Sequence, residues 1–154
     1  LALACRHNVP FTAVFIDLDR FKEVNDTMGH EMGDNLLRAV SVVLRGHLRA
    51  GDIAGRLGGD EFALLLPGMG YAPAERYVQD LRQRLLAAMR REDWQVTFSI
   101  GVACYCRAPD SVDDLLAKAD ALMYEVKNSG RDDVLIRECS LEEGEEARRQ
   151  EPPS

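Results

Sequence analysis

An α+β sandwich, with helices packed on a largely antiparallel sheet, is the fold class that this sequence of 154 residues predicts. Three observations carry it. Strand-like runs, β-branched or of period two, alternate with apolar stripes of helical period, and two of them are joined by a short glycine turn. The order is strand, helix, hairpin, helix, strand, helix, strand. A chain of this length with 46% hydrophobic residues suits one domain with a sizeable core, whereas two half-length domains would each be marginal.

Residues Leu1 to His7 read as the end of a helix, and "NVP" then leads into the β-branched and aromatic run "FTAVFID". The polar stretch from Leu18 to Gly33 reads as a loop. A helix starting at Asp34 or Asn35 follows, with Leu36, Leu37, Val40, Val43, Leu44 and Leu48 as its apolar stripe. Strands Ile53 to Leu57 and Glu61 to Leu66 form a hairpin whose glycine pair, Gly58 and Gly59, would close the turn by taking positive φ. Pro73 suits the first turn of a second helix, buried through Ala74, Tyr77, Val78, Leu81, Leu85 and Met89. Val96, Phe98, Ile100 and Val102 alternate with Thr97, Ser99 and Gly101, the pattern of a strand with one face in a core. Ser111 with Asp114 resembles a capping box before the stripe Leu115, Leu116, Ala119, Leu122, Met123 and Val126, and Gly130 stops that helix. "VLIRE" supplies the last strand. The domain is expected over residues 1–138, with 139–154 as an acidic linker or tail that has too few large apolar residues to bury itself. This order of elements is that of ferredoxin-like and polymerase-palm folds.

A net charge of −7 gives no basic footprint for nucleic acid or for an anionic membrane, so a polyanionic ligand would need a local group of cations. Cys5, Cys104, Cys106 and Cys139 show neither C-x-x-C nor metal-ligand spacing and read as reduced thiols of a cytoplasmic domain. His30 and His47 read as structural or surface residues.

The chemistry-bearing stretch is "RLGGDEF", Arg56 to Phe62. Asp17 ends the first strand, and if that strand lies beside the hairpin, Asp17 and Asp60 can share one hard cation; Mg²⁺ commonly takes one or two carboxylates plus substrate phosphates. Asp60 and Glu61 are neighbours on a strand and should face opposite sides unless the turn rotates one, which suggests divided roles. Taken singly, each acid has a plainer reading: Asp17 as a solvated strand end, Asp19 and Asp26 as loop caps, Asp34 as a helix N-cap. Lys127 and Arg131 flank a helix end, where cations either offset the dipole or bind phosphate. In "RAGD", Arg49 can fork onto a phosphate or a guanine edge while Asp52 accepts from guanine N–H groups, but as a motif R-x-x-D is weak.

Four blocks, "FIDLDRFKEVNDTMGHEMGD", "RLGGDEF", "FSIGVA" and "ADALMYEVKNSGRDD", resemble the signature segments of the GGDEF family, the bacterial diguanylate cyclases, in the family's order from about Phe11 to Ile136. The resemblance implies a nucleotidyl-cyclase palm with the hairpin as its catalytic turn. It implies condensation of two GTP into cyclic di-GMP with release of pyrophosphate, in a transient homodimer whose domains each hold one nucleotide, with Mg²⁺ or Mn²⁺ as cofactor. Carried over by motif, Asp17, Asp60 and the Leu18 carbonyl would hold the metal, and Glu61 would orient or deprotonate the attacking 3′-hydroxyl. Asn25 and Asp34 would read guanine. Gly58 and Gly59 would let ribose and base approach the backbone, and Phe21 belongs to the same substrate set. Lys22, Lys127 and Arg131 would meet the triphosphate, Lys22 counting with Asp60 and Glu61 among the catalytic groups. Arg49 and Asp52 match the family's inhibitory product site, R-x-x-D, five residues before the hairpin glycines.

Two departures stand out. The family's usual opening helix and its Asp-x-Leu-Thr-Gly-Leu-x-Asn-Arg segment have no counterpart in these residues, and Asp132 stands where asparagine is common. Attached sensor or phosphodiesterase domains are expected. The competing readings are a silent module that holds GTP or cyclic di-GMP to regulate a neighbouring domain, and a palm-type cyclase for another nucleotide, which Asn25 with Asp34 disfavours.

Overall fold

The computed structural model describes residues 9–107, 109 and 111–139, so the helix expected over Leu1 to His7 and nearly all of the expected tail lie outside the described residues. The chain runs β1 (Phe11–Asp19), α1 (Phe21–Met28), α2 (His30–His47), β2 (Ile53–Arg56), β3 (Glu61–Pro67), α3 (Tyr71–Arg91), β4 (Thr97–Tyr105), α4 (Val112–Asn128) and β5 (Asp133–Cys139). The five strands lie in the order β2-β3-β1-β4-β5. All neighbours are antiparallel except β4 and β5, whose parallel pairing needs the crossover that α4 provides.

Every residue of β1 is buried, because it lies at the centre of the sheet with helices on both faces. Its even-numbered residues Val14, Ile16 and Leu18 pack with Leu36, Leu37, Val40 and Leu44 of α2 and with Val78, Leu81 and Leu85 of α3. Phe11, Ala13 and Phe15 turn the other way and pack with Leu115, Ala119, Leu122 and Met123 of α4. Two cores therefore sandwich the sheet. At Gly101 in β4 an added Cβ would overlap the Ala119 carbonyl and the Met123 amide, so α4 rests on the sheet backbone to backbone. That contact fixes the height of Lys127, one turn further along α4.

Where a loop was expected after β1, the chain makes α1, a helix of eight residues that buries only Phe21 and Val24. Two buried positions are too few for a legible stripe. Next, α2 begins at His30 from Gly29, whose φ of 88° and ψ of 163° break the helical run and which offers no side-chain cap. Asp34 is thus inside the first turns of α2 and does not cap it. Ser111 does cap α4, its Oγ accepting from the Asp114 N–H at 3.1 Å.

Candidate active site

The β1–β3 register sets Asp17 directly opposite Glu61. Alternation along β1 turns Asp17 toward α4, the side taken by Ala13 and Phe15, and there the Lys127 ammonium meets its carboxylate at 2.5 Å. Asp60 precedes β3 and lies in the turn, so it escapes strict alternation; carboxylate oxygens of Asp17, Asp60 and Glu61 all come within 4.8 Å of one another. The expectation that Asp60 and Glu61 face apart does not hold. Burial pushes the Asp17 carboxyl up to about 6; the Lys127 hydrogen bond opposes that rise, and the charges of Asp60 and Glu61 add to it. On Lys127, burial works against the charge, but the hydrogen bond to Asp17 and the field of the three acids outweigh it and raise the pKa.

Three acids against one lysine leave an excess of negative charge on an all-oxygen donor set, which is what a hard divalent cation takes. The Leu18 N–H donates to the Asp60 carbonyl at 3.1 Å, so Leu18 has its backbone groups on the hairpin edge, where its own carbonyl also lies. The turn is clamped by Arg56, whose Nε and Nη2 donate to the carbonyls of Gly58 at 2.9 Å and Gly59 at 3.0 Å. Neither glycine takes positive φ, contrary to expectation. A Cβ on Gly59 would meet nothing within 4 Å, and one on Gly58 would come 3.5 Å from Glu61 Oε2. What the pair leaves is open space beside the acids.

Asp19, expected as a loop cap, is a buried strand residue that accepts from Ser99 Oγ at 2.6 Å, Thr97 Oγ1 at 2.7 Å and the Asp132 N–H at 3.0 Å. Through Asp132 it anchors the turn after α4. Gly130, Arg131 and Asp132 have φ of 112°, 64° and 48°, a strained run for the two side-chain-bearing residues. Arg82 of α3 holds it from the other side, donating to Asp132 Oδ1 at 2.7 Å and to its carbonyl at 3.0 Å. The acid at position 132 thereby gains an ion pair. Arg131 and Lys22 line one open cleft of about 1000 Å³ with Asp26, Arg90 and Trp94. Lys127 instead stays on Asp17.

Asn25 on α1 and Asp34 on α2 flank the corner at Gly29. Among the described residues, the side chains of Lys22, Asn25, Asp34, Asp60, Glu61 and Arg131 make no hydrogen bond to the protein. The Phe21 ring is in the core, so what Phe21 can offer a ligand is the amide at the uncapped start of α1. Arg49 and Asp52 lie elsewhere. The Asp52 carboxylate accepts from the Arg49 amide at 2.8 Å, Nε at 3.1 Å and Nη2 at 3.0 Å, and Arg49 Nη2 also reaches the Pro67 carbonyl at 3.1 Å. Pro67 ends β3 and Glu61 begins it, a separation of roughly 20 Å at strand rise. As expected, His47 is structural: its Nε2 lies 3.1 Å from the Tyr77 carbonyl, and the Tyr77 hydroxyl donates to the His47 carbonyl at 2.9 Å.

A family model described as "Diguanylate cyclase, GGDEF domain" matches residues 1–133. The chain belongs to the GGDEF family. It is 38% identical over 131 residues to the response regulator PleD of Caulobacter vibrioides, covering 82% of this chain and 29% of that protein. It is 37% identical over 145 residues to the diguanylate cyclase DosC of Escherichia coli K12, covering 92% and 31%. The chain thus spans about a third of these relatives. Among solved structures, the GGDEF domain of DgcB from Caulobacter crescentus in complex with c-di-GMP superposes with a TM-score of 0.77 at 30% identity, covering 88% of this chain and 82% of that one. Among its described residues this GGDEF domain has no helix long and apolar enough to cross a membrane.

Three residues that shape the surroundings of these groups were not singled out for this in the sequence: Arg56, Asp19, which reads there as a loop cap, and Gly33. Arg56 carries a faint signal, an arginine two positions before a glycine pair whose carbonyls need donors. Asp19 carries none, since its partners are remote in the chain. Gly33 lies where a Cβ would overlap Asn25.

The raised Asp17 pKa has a consequence for stability. A carboxyl near 6 in the fold and near 3.8 when unfolded costs nothing below about pH 3.8, a growing amount between these values, and its full amount above about 6. In the presence of chelator, the wild-type domain should therefore lose up to about 3 kcal/mol relative to Asp17→Asn as pH rises from 4 to 7.5. Lys127 is charged throughout, and its attraction for the ionised Asp17 is already contained in that raised pKa. Urea unfolding of both proteins at several pH values measures this, and a pH-independent difference would remove the assignment.

Proposed function

We propose that this GGDEF domain is a diguanylate cyclase that condenses two GTP into cyclic di-GMP. In each of two equivalent steps a 3′-oxygen bonds to the α-phosphorus of the facing nucleotide, the bond to the β-phosphate oxygen breaks, pyrophosphate leaves, and the hydroxyl proton is lost. The observation that carries the reading is the convergence of Asp17, Asp60 and Glu61 within 4.8 Å, beside Lys127 and open glycine backbone.

Asp17, Asp60 and the Leu18 carbonyl would hold Mg²⁺ or Mn²⁺, which when bound neutralises triphosphate charge. Glu61 orients the 3′-hydroxyl and takes up its proton. Lys22, Lys127 and Arg131 hold the phosphates, a task that is mostly positioning and charge. Asn25 and Asp34 read the guanine edge, a carboxylate accepting from N1–H and the exocyclic amine. Residues 1–138 are the cyclase, 139–154 a linking tail, and the whole is a cytoplasmic part of a larger signalling protein, as the bifunctional name of the relative MucR from Pseudomonas aeruginosa suggests. Incubation with GTP and Mg²⁺ followed by mass spectrometry should give cyclic di-GMP. GTP binding with no product would favour the silent regulatory module.

Arg49 and Asp52 are proposed as the inhibitory product site. Because each already satisfies the other, bound product must replace a bidentate pair. Arg49→Ala should raise the product concentration at which synthesis stalls by about tenfold, and calorimetry should show the matching loss of cyclic di-GMP affinity. Unchanged affinity in Arg49→Ala would return the pair to a purely structural role.

A further inference from the structure

We infer that Gly33 is a positioning residue for base recognition: its missing side chain is the space in which the Asn25 carboxamide lies, next to Asp34. The inference rests on the reading that Asn25 and Asp34 meet the guanine edge.

Gly33 is buried in the second turn of α2 and has no positive φ, so it is not there for backbone freedom. An alanine would suit the helix better. What excludes it is Asn25. A Cβ at position 33 would overlap Asn25 Oδ1, come 3.0 Å from its Cγ and 3.4 Å from Phe21 Cζ. Asn25 is held at its backbone, the carbonyl accepting from the Gly29 N–H at 3.0 Å, while its amide group has no hydrogen bond among the described residues. The group lies against Gly33.

An added methyl can be relieved in two ways, by a shift of α1 or by rotation of the Asn25 side chain. Phe21 and Val24 tie α1 into the core, each 8% exposed, so the free carboxamide gives way. It then leaves Asp34 to face the base alone. Acids, lysines and the Arg131 turn are untouched. Selectivity for the base should fall while phosphate binding stays, because a site built to hydrogen-bond a base edge loses most when one partner is removed.

The test is calorimetric titration of the chain with GTP and with ATP, for wild type, Gly33→Ala, Asn25→Ala and the double variant. Gly33→Ala should weaken GTP about tenfold, leave ATP unchanged and so match Asn25→Ala. In the Asn25→Ala background, where the clashing group is gone, Gly33→Ala should cost nothing further. Equal losses for GTP and ATP, or additive losses in the double variant, would mean a merely structural glycine and overturn the inference. A GTP preference unchanged in Gly33→Ala alone overturns it too, without touching the base-reading pair. A preference unchanged in Asn25→Ala overturns the base reading itself and the inference with it. Should Gly33→Ala fail to fold by circular dichroism, the double variant must fold, and a double variant that is also unfolded overturns the inference.

Discussion

Asp60→Ala should lower cyclic di-GMP formation by about 10²–10³, the usual cost of removing one electrostatic group from such a centre. The fold should survive. Asp60 is half-buried in a turn that Arg56 clamps through backbone carbonyls and that Leu18 grips through the Asp60 carbonyl, and alanine keeps all of these. Its removal also takes one negative charge away from Asp17. Glu61→Ala should fall comparably, for a different reason: it removes the group opposite Asp17 that is proposed to orient and deprotonate the 3′-hydroxyl. Product measured by mass spectrometry, beside circular dichroism of each variant, checks both. Turnover near the wild-type level in either one would sink the assignment of the acids.

A second large effect concerns assembly. In the proposed reaction the product joins two nucleotides, whereas each chain carries a single Asp17, Asp60 and Glu61 cluster among its described residues, so two domains would have to meet face to face. Catalysis should then be second order in free domain, with specific activity falling on dilution. Fusion to a dimerising coiled coil replaces that encounter with an effective concentration of order mM for a short flexible linkage. The fused protein should be several orders of magnitude more active per domain at nanomolar concentration, with the advantage shrinking as concentration rises. If the unfused domain kept constant specific activity across the micromolar range while light scattering showed monomer alone, the two-domain mechanism would fail.

Much of this molecule was legible because its signals are local. β1 announced itself by β-branched and aromatic residues, and the hairpin by a glycine pair between apolar runs. Ser111 with Asp114 marked the start of α4. Features that depend on remote partners or on missing atoms were not. Asp19 looks like a loop acid until Thr97, Ser99 and Asp132 are seen to converge on it from 78 to 113 residues away. A glycine cap gave α2 no side-chain signature, which shifted its expected start to Asp34 or Asn35. Family resemblance supplied the role proposed for each site residue. The reasons those residues can stand where they do, such as the fork of Arg56 or the gap at Gly33, came only from packing.

The seat of α4 on Gly101 has a bearing on how this site comes apart. Side chains between a helix and a sheet act as a compliant layer, able to repack while the elements separate by a fraction of an ångström. Here that layer is missing at one point, where main chain lies on main chain. Lys127 rides on the same helix, so lifting α4 withdraws the cation from Asp17 and floods the buried acid with water in a single event. Helix and lysine thus move as one unit, and opening at α4 exposes Asp17 and releases Lys127 together. Asp60 and Glu61, held on the hairpin by Arg56 and Leu18, would stay in place while Asp17 alone loses its cation.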